Sequence, residues 1–103
     1  MDDLIEKCLI NARISTKNEM IKEQMQDLIL ACLVDMKSKG VEKAPDEIPD
    51  DLNLMDPLIL QSIKLYTKSS INTASKDSQR LMDLYISLRD SMSLMGEYKN
   101  EVN

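Results

Sequence analysis

Histidine, tryptophan and phenylalanine are absent from this 103-residue chain, and it has only two Gly, three Pro, two Cys and three Val. Without histidine, a Ser-His-Asp or Cys-His relay, an HExxH zinc site and an imidazole acid or base are all excluded within the chain. Cys8 and Cys32 are too few for a zinc site and read as free thiols. Both fall on apolar helical stripes, where cysteine acts as a small buried hydrophobe, and neither has a basic neighbour arranged to lower its pKa. No uncharged apolar run reaches about 18 residues, and Met1-Asp2-Asp3 is acidic where a signal peptide is basic. The expectation is a soluble intracellular chain with no membrane segment. With so few Val and aromatic residues, strands are hard to supply.

What is present favours helices. Hydrophobic residues make up 43% of the chain, carried by Leu, Ile and eight Met, and charged residues 30%. That balance belongs to a folded domain, and the length suits one core. The predicted fold is all-α: a compact bundle of about four helices with a long acidic loop between the second and third. Residues 1–96 read as a single helical domain and 97–103 as a C-terminal tail, with Tyr98 as its one sizeable apolar contact.

Leu4, Ile5, Cys8, Leu9 and Ala12 recur at spacings of three and four, one face of a first helix. Thr16 and Glu19 form a capping box that opens the second, whose stripe runs through Ile21, Met25, Leu28, Ile29, Cys32, Leu33 and Met36. Gly40 is placed to take the left-handed conformation that ends it, with Val41 folding back on Met36. Asp56-Pro57 opens the third helix as N-cap and first helical residue, with Met55 and Leu60 as a staple. Leu58, Ile59, Ile63, Leu65 and Tyr66 make this helix apolar over more than half its circumference, as suits a central position. The fourth begins near Ser75 to Asp77, carries Leu81, Leu84, Tyr85, Leu88, Met92 and Met95, and is closed by Gly96.

Between Val41 and Met55 the periodicity disappears. Glu42 to Asp56 holds six acids and one base, whereas the rest of the chain has twelve of each, so the whole net charge of -5 sits in this segment. A loop of about fifteen residues is longer than most connections and tends to be functional. Asp46, Glu47, Asp50 and Asp51 lack the alternate spacing and the Gly of a calcium loop, which favours a solvated or partner-facing loop over a metal site. The basic residues are dispersed: Lys64 and Lys68 share a helix face, while Arg80 and Arg89 stand alone. No basic stripe would neutralise several phosphates. The Met residues read as core filler, although Met20, Met55 and Met82 fall off the main stripes.

Several segments carry a resemblance. Ala12-Arg13-Ile14-Ser15, Asp35-Met36-Lys37-Ser38-Lys39-Gly40-Val41, Asp56-Pro57-Leu58-Ile59, Ile63 to Lys68 and Tyr85 to Tyr98, in that order, resemble the small head-tail connector family of tailed bacteriophages, often labelled DNA-packaging proteins. The likeness spans nearly the whole chain. It departs where an aromatic and Gly usually follow the third helix, since Ser70-Ile71-Asn72 stands there, and in the first helix, where Asn11-Ala12-Arg13 replaces a Leu-Arg pair.

The resemblance implies a structural head-completion protein that binds no cofactor and catalyses nothing. It would form a homo-oligomeric ring beneath the portal protein, contact neighbouring connector subunits and a tail-completion protein, and let DNA pass without sequence-specific binding. The expected location is the host cytoplasm during assembly and then the virion neck. Asp46, Glu47, Asp50 and Asp51 would line the channel or meet the portal, where a negative lumen repels DNA. The alternative is an acidic helical regulatory adaptor that blocks a basic partner protein. A small enzyme subunit would need residues from another chain.

Overall fold

In the computed structural model, residues 2–14, 18–48, 52–72 and 76–99 are described. They form four helices, α1 (Asp2–Asn11), α2 (Glu19–Ser38), α3 (Pro57–Ile71) and α4 (Ser78–Ser93), with 3-10 turns at Leu52–Leu54 and Gly96–Tyr98. No strand occurs among the described residues, and the predicted all-α four-helix bundle is what forms.

α1 exists because its stripe is buried: Leu4, Ile5, Cys8, Leu9 and Ala12 all lie in the core. It ends in a Schellman motif, with the Arg13 amide donating to the Ile10 carbonyl at 2.9 Å and the Ile14 amide to the Leu9 carbonyl at 2.9 Å. The left-handed position belongs to Arg13, at φ 61°, where most helices place glycine. Ile14 then packs against the core.

α2 starts differently from the expected capping box. Its N-cap is Asn18, whose side-chain oxygen accepts from the Met20 amide at 2.8 Å. Thr16 lies outside the described residues. The far end follows prediction. Gly40 sits at φ 106°, the Gly40 amide donates to Lys37 at 3.3 Å, and the Val41 amide reaches Met36 at 2.9 Å. Glycine is required here twice over, because a Cβ would stand 3.1 Å from the Ser93 Cβ as well as in an unfavourable backbone region.

Asp56 caps α3 by accepting from the Leu58 amide at 2.8 Å and the Ile59 amide at 3.3 Å, and Pro57 occupies the first helical position. Met55 is buried and Leu60 packs on the same core. The buried face of α3 is less apolar than periodicity indicates, since it includes Ser62, Thr67 and Ser69 beside Ile59 and Ile63. Their hydroxyls are satisfied by main-chain carbonyls: Ser62 donates to Leu58 at 2.9 Å and Thr67 to Ile63 at 2.8 Å. Ser69 donates to the Ser78 carbonyl at 2.6 Å and Ser78 returns the bond to the Ser69 carbonyl at 2.8 Å. This reciprocal clasp joins the end of α3 to the start of α4.

α3 is the central helix, in contact with α1, α2 and α4. On α4, Leu81, Tyr85 and Met92 are buried, whereas Leu84 and Met95 face outward, so the stripe is narrower than expected. Gly96 does not close α4. The helix stops at Ser93, and Gly96 opens the 3-10 turn that carries Tyr98 back to the core, where it is 4% exposed. The described residues have a radius of gyration of 13.6 Å and extents of 47 × 30 × 19 Å.

The acidic segment is pinned more firmly than its charge indicates. Val41, Ala44, Ile48 and Met55 are buried, with Leu52 packed against the core. Their spacings of three, four, four and three are helical, but Pro45 interrupts the ladder, and residues 41–48 form turns with apolar anchors.

Candidate functional site

Polar groups gather at two places: a partly buried network linking α2 and α4, and a cleft beneath the acidic loop. In the network, Asp35 of α2 accepts from the Tyr85 hydroxyl at 2.5 Å and from Arg89 Nη1 at 2.9 Å, both on α4. Arg89 also reaches Asp90 at 3.0 Å and lies 5.7 Å from the centre of the Tyr85 ring. Tyr66 meets that ring edge-on, with centroids 5.1 Å apart and planes at 69°.

Burial pushes the Asp35 carboxyl up, but the Tyr85 and Arg89 hydrogen bonds and the charges of Arg89 and Lys39 outweigh it, leaving Asp35 below its ordinary value. Burial, then the neighbouring Cys32 and Asp35, raise Tyr85 well above the usual tyrosine value. The carboxylate is thus held ionised by two donors and the phenol held protonated. Both are committed to holding α2 against α4, which is a structural role.

Cys8 and Cys32 lie in the core, each at 0% exposure. Burial raises both thiols, Cys32 to about 12, and the opposing pull of Lys64 on Cys8 is the smaller effect. The sequence had indicated buried small hydrophobes, and both residues are in that position.

The cleft lies where the 41–56 segment, the start of α3 and the 96–98 turn converge. Its volume is about 270 Å³, and its floor is made by Pro45, Met55, Ile59 and Tyr98. Leu54, 83% exposed, stands on its rim with Lys43, Asp56 and Glu97. Asp56 does two jobs, capping α3 and accepting the Tyr98 hydroxyl at 3.0 Å and 3.1 Å through its two oxygens. Burial and that bond raise Tyr98 to about 12. The Lys43 amide donates to the Tyr98 carbonyl at 3.0 Å, and Lys99 Nζ lies 4.0 Å from Glu42. The 96–99 segment is therefore strapped to the acidic loop by side chain and main chain together.

Of the four acids singled out in the sequence, Asp46 is exposed and paired with Lys37, and Glu47 is exposed. Asp50 and Asp51 lie outside the described residues. The structure does not gather Asp46 and Glu47 into a carboxylate cluster, and among the described residues no group of three or more His, Cys, Asp or Glu side chains is arranged to hold a metal ion. No helix among them is long and apolar enough to cross a membrane. The cleft residues escaped a reading by helical periodicity because Leu54 belongs to a 3-10 turn and Tyr98 to the expected tail. The helical spacing of the loop's buried anchors was the available signal. Of the off-stripe methionines, Met20 is exposed, Met82 half-buried and Met55 buried in the cleft floor.

No protein-family model matches the chain, and no solved structure matches it. Among curated proteins, it is 32% identical over 71 residues to "Actin-related protein 2/3 complex subunit 5-C" of Xenopus laevis, a stretch that is 69% of this chain and 46% of that relative. The match overturns the head-tail connector resemblance. With it go the DNA-packaging role, the ring beneath a portal, the portal and tail-completion partners and the virion-neck location.

The reason is visible in the fold. Ala12-Arg13-Ile14 and Lys39-Gly40-Val41 are two copies of one helix-ending motif, and Asp56-Pro57 is a helix start. Such signals obey rules shared by all helical proteins, and their order in a four-helix chain does not mark a family. What the chain resembles is part of a subunit of an actin-related complex in Xenopus laevis, over less than half of that subunit's length.

Proposed function

We propose that this chain is a non-catalytic helical subunit that works by packing into a larger protein assembly, one of the actin-related kind named by its relative. The observation that carries this reading is the 71-residue match to a complex subunit. The matched stretch is less than half of that relative, so the proposal covers a subunit role and does not extend to every contact the longer protein makes.

The side chains support it. The groups best placed for chemistry, Asp35, Tyr85 and Arg89, are consumed in holding α2 against α4. Large apolar side chains face outward on several elements: Ile10 on α1, Met20 and Val34 on α2, Leu54 beside the cleft and Leu94 after α4. Burying surface on more than one side is what a subunit inside an assembly does.

The test is co-elution. The purified chain is mixed with actin-related protein 2/3 complex assembled without its subunit 5, and the mass is read by light scattering during gel filtration. Stoichiometric co-elution, reversed by excess subunit 5, is the expected result. Elution at the mass of the free chain overturns the reading.

A further inference from the structure

We propose that the cleft beneath the acidic loop is a docking site for a short segment of a partner protein, one that inserts an aliphatic side chain and sets a Lys or Arg beside it. The inference deepens the subunit reading and rests on it for the existence of a partner, while its own test needs only the isolated chain.

Size selects the occupant first. A volume of about 270 Å³ lies at the small end of the roughly 300–1,000 Å³ typical of small-molecule and cofactor pockets, and accommodates one or two inserted side chains. The lining selects its chemistry. The floor of Met55, Ile59 and Tyr98 is apolar and already desolvated, so an aliphatic group gains burial without displacing bound polar partners. Leu54 stands over this floor at 83% exposure, although its neighbours Leu52 and Met55 turn inward. An exposed leucine at a cleft mouth offers further apolar surface to an inserted side chain and helps to exclude water around it.

Charge then sets the flank. The rim holds one cation, Lys43, against two acids, Asp56 and Glu97, so its own balance is acidic by one charge. Asp46 is paired with Lys37 and Glu42 lies near Lys99, whereas Glu97 and Glu47 on the adjoining loop have no ion-pair partner among the described residues. The acidic segment as a whole carries -5 against a neutral remainder. A basic residue next to the inserted side chain meets this field favourably, and an acidic one is repelled.

The test titrates three capped peptides, Arg-Leu-Arg, Glu-Leu-Glu and Arg-Ser-Arg, onto the isotope-labelled chain and follows backbone amide signals by NMR. Arg-Leu-Arg should move the signals of Leu54, Ile59 and Tyr98, and the other two should bind at least about 5-fold more weakly. Leu54→Ser should weaken the Arg-Leu-Arg peptide about 10-fold and Glu97→Gln about 2- to 5-fold. Both positions are exposed, so an unchanged helical circular dichroism spectrum separates loss of binding from loss of fold.

Equal binding by Glu-Leu-Glu overturns the charge argument, and equal binding by Arg-Ser-Arg overturns the apolar one. No movement of these signals at millimolar peptide overturns the site. Movement with protein concentration alone places a second copy of this chain in the cleft and overturns the choice of partner. Peptide binding without co-elution in the complex would sink the assembly reading and leave this one standing.

Discussion

Arg13 is the residue whose conformation costs most for what its side chain returns. It is exposed and occupies the left-handed region at φ 61°, where an L-residue is disfavoured by about 1–2 kcal/mol and glycine is not. Arg13→Gly should therefore stabilise the fold by about 0.5–1 kcal/mol, after allowing for the greater freedom glycine gives the unfolded chain. For a domain near this size that is a rise of a few degrees in Tm, read by thermal circular dichroism. Arg13→Val, with a branched Cβ in the same conformation, should lower it. A higher Tm for the valine variant would mean that the two amide bonds closing α1 do not matter to the folded state. This strain is invisible in the residue types: Gly40 announces a left-handed residue, and an arginine after Ala12 does not.

Between elements, the tie that distinguishes this bundle from a generic apolar packing is Asp35 of α2 held by Tyr85 and Arg89 of α4. Because the folded-state pKa of Asp35 is lowered, its contribution is complete above the unfolded value of about 3.9 and disappears as pH falls through the lower folded value. Asp35→Ala should cost about 1.5–3 kcal/mol at pH 7, and the gap to the parent chain should narrow as pH falls below about 4. Urea unfolding across that range measures it, and a gap independent of pH would assign the loss to packing instead of the charge.

The ends of α1 and α2, the start of α3 and the apolar stripes of α1 and α2 were legible because they follow local rules, whereas the start of α2 and the end of α4 were not. Periodicity gave the buried residues of α1 and α2, and Asp56-Pro57 gave the start of α3. Asp35, Tyr85 and Arg89 were not legible as a unit, because they come together only when α2 and α4, each packed on α3, bring side chains 50 residues apart in sequence within reach of one another. The buried Ser62, Thr67 and Ser69 were hidden for another reason. A hydroxyl that bonds to a nearby carbonyl is buried at little cost, although a polarity scale places it outside.

At the scale of the molecule, one core holds residues from every helix and from the acidic segment, with Cys8 and Cys32 inside it. Thiol reagents should therefore reach either cysteine only after the core opens. Labelling in native buffer should be slower than in denaturant by about 10³-fold or more, and protection should vanish at the unfolding midpoint. Labelling at the unfolded rate in native buffer would refute the burial of both thiols.

The strap formed by Tyr98 also sets an order in time. Its hydroxyl binds Asp56, 42 residues earlier, and its carbonyl receives the Lys43 amide. A ribosome releases Lys43 and Asp56 well before it releases Tyr98. During synthesis the acidic segment is thus exposed without its clamp while α3 is being made, and the floor of the cleft is completed only once α4 has emerged. A partner that reads this cleft would bind chains in which the 96–98 turn has docked and pass over those in which it has not.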